Sequence, residues 1–291
     1  MIPHLIFLCL ATTSYVVTLF LEITRLFFRS GVRGALMLGF AGMGLAMHAL
    51  FLIQRWTHQG AHTPLSSEFD WYLVAAWLLA LCYLVLVFFH PRNSIGIFCL
   101  PLVLGLIAVA WSPWTSRQPI PKATGTSLWR WAHGGSLLIG SVAVMIGFAA
   151  GLMYLLHAYR LKHKLPPRQG LELPSLEWLG RVSERAIVVS AIFLLCGFGT
   201  GLMLSRLEHG VIWWTDPVVW SSTLLCAWIV VVAVFNFAYK PARQGRKVAY
   251  LTMGTFLFLA MTLGALLVGH QHGAEGPGTT ANPAEFHGGA P

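Results

Sequence analysis

Eight stretches of predominantly apolar residues divide the chain, separated by short segments that hold most of its charge. They run over 4–27, 35–54, 70–89, 94–112, 133–157, 184–205, 218–238 and 249–270. A helix needs ~20 mostly apolar residues to cross the hydrocarbon core of a bilayer. The runs meet that length, exceed what a barrel strand needs, and lack its period-two alternation. A backbone in lipid must satisfy its own hydrogen bonds, which leaves the helix. The pattern predicts an all-α, polytopic membrane protein with eight transmembrane helices, forming one helical domain over 1–270.

Lys and Arg positions set the expected orientation. The first, third, fifth and seventh connections carry 14 of the 19 Lys and Arg residues, six of them from Arg160 to Arg185. Cytoplasmic loops are enriched in these residues, so the odd connections are expected in the cytoplasm and both termini outside it. Met1-Ile2-Pro3-His4 sets no Lys or Arg ahead of the first run, which is therefore read as a span rather than a cleaved leader. Residues 160–182 form a basic linker that Pro166, Pro167 and Pro174 prevent from being one long helix. Residues 271–291, rich in Gly, Ala, Pro and Thr, read as a disordered external tail.

Composition narrows the class further. Hydrophobic residues make up 56% of the 291 and charged residues 10%, against roughly 25% charged in soluble domains. The mean hydropathy is +0.69. The +9 net charge records cytoplasmic loops, so no nucleic-acid partner is expected and the lipid bilayer is. Cys9, Cys82, Cys99, Cys196 and Cys226 all lie in apolar stretches without a CxxC pair. A disulfide framework and a thiolate metal site are not expected.

Ionisable groups inside spans are costly and mark function by default. Glu22 stands three residues before Arg25, a spacing that suits an interfacial ion pair. His48 lies past the middle of the second span, open to reading as an interhelical contact or as a ligand. His133 opens the fifth span and His270 closes the eighth, with His272 beside it. On the expected topology both sit at the external membrane surface. Two imidazoles at one level can ligate a heme iron from opposite faces, or simply occupy the interface. Between the sixth and seventh spans, an external loop over 207–220 holds Trp213, Trp214, Asp216-Pro217 and Trp220. Its tryptophans suit an interfacial belt or the faces of a flat apolar ligand. Asp216 is also placed to cap the seventh span.

Several segments resemble a known family. Leu173-Pro174-Ser175-Leu176-Glu177, then Arg185, then Gly197-Phe198-Gly199-Thr200-Gly201 is similar to the "LPSLE" linker and the "GxxTG" span that follows it in cytochrome c assembly proteins. This is the group that includes CcsA, ResC, CcmC and HemX-like proteins. Gly245-Arg246-Lys247-Val248-Ala249-Tyr250 looks like the start of that family's last span. His48 through Arg55, Gly60 and Pro64 to Trp77, Gly96 and Pro101 is similar to the HemX-like N-terminal half.

The resemblance implies heme b as cofactor, heme handling at the outer face of a bacterial cytoplasmic membrane, and partnership with apocytochrome c and other cytochrome c maturation proteins. It implies His133 and His270 as iron ligands flanking a tryptophan-rich segment of Trp213, Trp214, Asp216 and Trp220. His48 matches an intramembrane histidine that holds heme in transit. At most the chain would be the heme-delivery subunit of a cytochrome c synthase. Two departures stand out. Thr215 replaces the Trp before Asp216, and Asn236 stands where a second intramembrane histidine is expected, eight residues after Trp228. These favour the alternative of a HemX-like accessory or regulatory protein of tetrapyrrole metabolism without heme transfer.

Overall fold

The structure is a computed structural model, and it describes residues 2–26, 32–58, 67–90, 93–113, 115, 127–164, 171–210, 216–238 and 246–273. Eight helices occur among them: α1 (Ile2–Thr24), α2 (Arg33–His58), α3 (Glu68–Phe89), α4 (Gly96–Trp111), α5 (Ser127–Lys162), α6 (Leu176–His209), α7 (Pro217–Ala238) and α8 (Arg246–Gly273). Seven are long and apolar enough to cross a membrane. The exception is α4, whose 16 residues rise about 24 Å, short of the ~30 Å hydrocarbon core.

Helix ends follow local chemistry. Ser67 opens α3 with a capping box: its hydroxyl accepts from the Asp70 backbone N–H, and the Asp70 carboxylate accepts from the Ser67 N–H at 3.1 Å. Ser175 opens α6 by accepting from the Trp178 N–H at 3.3 Å. α6 ends where Gly210 turns left-handed at φ 72° and donates to the Arg206 carbonyl, a geometry a side chain would strain. Asp216 accepts from the Val218 N–H at 2.7 Å and so caps α7.

Two spans start earlier than their apolar cores. α5 begins at Ser127, six residues ahead of the expected 133, and α6 begins at 176 instead of 184. Hydrophobicity marks only the lipid-buried part of a helix, whereas capping and amphipathic first turns carry the helix into the interface. The break in the basic linker is present: α5 stops at Lys162 and residues 171–175 are not helical. At the other extreme α8 continues to Gly273, and the tail from 274 onward lies outside the described residues.

Packing organises the helices into two rings of four. α1 packs on α2 and α4, and α3 on α2 and α4, closing the first ring. α5 packs on α6 and α8, and α7 on α6 and α8, closing the second. The rings meet where α5 lies against α3 and α4. In lipid, helices associate through close van der Waals packing at small residues rather than through expulsion of water. α5 and α6 do this at Gly140, where an added Cβ would fall 2.6 Å from Leu194 Cγ, and at Gly197, 2.6 Å from Leu137 Cδ2.

A strap joins the rings at the end opposite the start of α1 and the end of α8. The Ser94 N–H donates to the Glu172 carbonyl at 2.8 Å, and His157 Nδ1 bonds to the Pro174 carbonyl at 3.1 Å. The His90 and Trp178 rings meet at 5.7 Å, and Leu179 is fully buried just beyond. The 171–178 segment thus touches both rings.

Candidate functional site

His133 sits nearly two turns inside α5 rather than at its start. Its ring is held against α6. Nδ1 lies 2.7 Å from the Gly197 carbonyl, and a Cβ on Gly201 would lie 2.7 Å from the ring's Cε1. The same carbonyl accepts from the Thr200 hydroxyl at 3.0 Å. On the other side of α5, the Trp71 ring of α3 packs onto Gly134. A half-buried imidazole is therefore fixed at the junction of α5 and α6, beside the seam between the rings.

Packing registers show what shares its level. α5 and α8 run antiparallel, with Phe148 stacked on Phe256 at 4.0 Å and Gly151 against Thr252. From that stack His133 is fifteen residues away along α5, and His270 fourteen along α8, or about 22 and 21 Å of helical rise. α7 and α8 pair through Trp228 Nε1 donating to Thr255 at 3.2 Å and the Thr262 hydroxyl donating to the Ser221 carbonyl at 3.3 Å. Continuing that register carries Asp216 and the start of α7 to the same end. His133, the last turns of α8 and the start of α7 therefore lie toward the same end of the second ring, the end where α8 finishes.

The described part of the connection presents Asp216 as the α7 cap and Trp220 64% exposed on the first turn. Trp213 and Trp214 lie outside the described residues, as does the side chain of His270, whose backbone is helical. Trp129 and Trp131 are both exposed on the first turns of α5 at this end, and tryptophans commonly gather at membrane interfaces.

His48 belongs to a different place. It is fully buried in the first ring, its ring 6.1 Å from that of Tyr15. Neither His48 nitrogen nor the Tyr15 hydroxyl has a hydrogen-bond partner among the described residues. Asn236 is buried in the second ring on α7, whose partners are α6 and α8, whereas α2 packs on α1 and α3. The intramembrane pair that the family resemblance implies is thus divided between the two rings.

Glu22 lies deeper than the interfacial position expected of it, while the Arg25 charge still acts on its carboxylate. It is fully buried, its Oε1 accepting from the Tyr83 hydroxyl at 3.3 Å. A Cβ on Gly96, the first residue of α4, would lie 2.6 Å from the same oxygen. The carboxylate thereby faces the unpaired N–H groups of a helix start. Arg25 donates to the Asn93 carbonyl at 3.5 Å.

Sequence reading also missed the supports of His133, namely Gly197, Thr200 and Gly201, and the Trp71 ring packed on the neighbouring Gly134. The first three lie in the "GxxTG" resemblance, which marked the segment without giving its purpose. Among the described residues no group of three or more His, Cys, Asp or Glu side chains could hold a metal ion.

A helical membrane protein of two four-helix rings, with a supported imidazole toward one end of the second ring, is the class these features define. The family model described as "Cytochrome C assembly protein" matches residues 65–271, and the chain belongs to that family. It is similar to the cytochrome c biogenesis protein CcsA of Synechococcus sp. (strain CC9902), 25% identical over 252 residues covering 76% of this chain and 81% of that protein. It is likewise similar to the protein of the same name from Synechococcus sp. (strain CC9605), 24% identical over the same shares. No solved structure matches it significantly.

Proposed function

We propose that the protein acts in cytochrome c maturation by holding heme b between His133 and His270 and presenting it at the extracytoplasmic face of a bacterial cytoplasmic membrane. The observation that carries this reading is the shared level of His133, the α8 end bearing His270, and the start of α7 at Asp216. The donor set fits the group. Among the described residues the His133 ring has one bond, from Nδ1 to a backbone carbonyl, and a histidine that ligates iron through one nitrogen characteristically engages the other in this way.

The chain's own residues would position the group and shield it. His133 and His270 would supply the two nitrogens that hold the iron. Trp220, with Trp213 and Trp214, would cover porphyrin faces and keep water from them. Asp216 secures the start of α7 and hence the connection that carries the tryptophans. When bound, heme b supplies the iron for these ligands and the vinyl groups to which the thiols of an apocytochrome add. Other maturation proteins would bring reductant and substrate to this end.

The division of His48 and Asn236 between rings, and Thr215 in place of a tryptophan, favour a second reading. In it the protein is an accessory or regulatory subunit of tetrapyrrole metabolism that transfers no heme. Absorption spectra of the detergent-purified protein, oxidised and reduced, separate the two. A heme band lost in both His133→Ala and His270→Ala supports the heme-presenting reading. Absence of a band after expression with ample heme supports the accessory reading.

A further inference from the structure

The α6 segment from Gly197 to Gly201 is shaped around His133. Helix carbonyls already face the N–H four residues on, yet the Gly197 carbonyl also lies 2.7 Å from His133 Nδ1 and 3.0 Å from the Thr200 hydroxyl. A carbonyl only accepts, so Nδ1 must carry the proton. The other ring nitrogen, Nε2, is then the one with a lone pair. Gly201 has no side chain where one would meet Cε1 at 2.7 Å and Nδ1 at 2.9 Å. Gly197 lets α5 come close enough for the bond, since a Cβ there would strike Leu137 Cδ2 at 2.6 Å. Thr200 donates more closely to the Cys196 carbonyl, at 2.8 Å, so it shares the Gly197 acceptor without monopolising it.

We propose that Gly197, Thr200 and Gly201 are positioning residues for His133: they set its tautomer and orientation so that Nε2 is presented as a ligand, and Thr200 tunes how strongly that ligand donates. This rests on the reading of His133 as an iron ligand. The tuning follows from competition. A stronger Nδ1–H···O=C bond makes the imidazole more basic at Nε2. The Thr200 hydroxyl draws on the same carbonyl and weakens that bond, so its removal strengthens it.

The test has two independent parts. The first uses the heme-free full chain labelled with nitrogen-15 histidine, with the His133 signals identified by their loss in His133→Gln. Nitrogen chemical shifts read the tautomer, and the expected result is a protonated Nδ1 and a bare Nε2 in the wild type. A protonated Nε2 with bare Nδ1 overturns the proposal whether or not the protein binds heme. Gly201→Ala is expected to abolish the Nδ1 bond. Should that variant fail to fold, Thr200→Val and Thr200→Ser carry the test, because neither adds bulk at the helix contact.

The second part titrates ferric heme b into the same proteins and measures affinity and midpoint potential. Gly201→Ala is expected to weaken binding by about tenfold or more, the range typical of losing an outer-shell partner. Thr200→Val is expected to shift the midpoint potential negative, and Thr200→Ser to restore the wild-type value. An unchanged potential in Thr200→Val overturns the tuning role, because a merely structural threonine would leave it unmoved. Heme binding that is indifferent to His133→Ala would refute the ligand reading, and the tautomer result would then stand or fall by itself.

Discussion

Arg55 and Asp70 show how a charge persists in this apolar interior. Their ion pair is almost wholly enclosed, yet each partner is supported again. Asp70 closes the Ser67 capping box, and Arg55 donates to the Ser67 hydroxyl at 3.3 Å and lies 4.7 Å over the Phe69 ring. Breaking a buried pair leaves one uncompensated charge, at a cost of about 3–5 kcal/mol. Asp70→Ala is accordingly expected to lower the thermal midpoint in detergent strongly. The Arg55→Met/Asp70→Leu double variant should recover much of that loss, and a double variant no better than the single would contradict the account. This pair was not legible in the sequence, where Arg55 and Asp70 lie fifteen residues apart on either side of a polar connection. Nothing local to Ser67 and Asp70 tells that the capping carboxylate also meets an arginine from another helix.

At the scale of elements, apolar run length marked the helices and misjudged their ends. α5 and α6 outrun their hydrophobic cores because Ser175 caps α6 and because the Trp129-Arg130-Trp131 turn is amphipathic enough to stay helical at the interface. Helix contacts were harder to foresee. Glycine is frequent throughout, but only some glycines sit where backbones touch. Gly140 meets Leu194, whereas Gly39 and Gly105 have nothing within 4 Å of an added Cβ. Gly140→Leu should therefore destabilise the α5–α6 pair by about 1–3 kcal/mol, the usual cost of overpacking. Gly39→Leu and Gly105→Leu serve as controls expected to leave the thermal midpoint near the wild-type value. Equal losses at all three positions would mean that glycine's effect here is conformational rather than steric.

For the whole molecule, the expected orientation rests on charge. Fourteen of the nineteen Lys and Arg residues fall on one set of connections, and cytoplasmic loops collect such residues. Single cysteines placed at His163 and at His287, in a chain otherwise freed of cysteine, test this with a membrane-impermeant maleimide. Labelling of intact cells is expected at 287 and not at 163 until the membrane is opened. The opposite result would invert the topology and move the His133 end to the cytoplasm. The same scale explains why His48 and His133 do not share a site: each belongs to its own four-helix ring, and α5 against α3 and α4 is where the rings meet.

Membrane insertion, the number and approximate position of apolar helices, and the residues worth suspecting followed from the chain alone. They depend on how many apolar residues lie in a row and where cations fall, which are local quantities. Which suspects meet was decided only by tertiary packing. The register of α5 against α8 and α6 brings His133 level with the end of α8 and onto the Gly197 carbonyl. The closure of two separate rings parts His48 from Asn236, and the first turn of α4 takes up Glu22. Such registers arise from how side chains on several helices interlock at once, a condition that no stretch of sequence contains by itself.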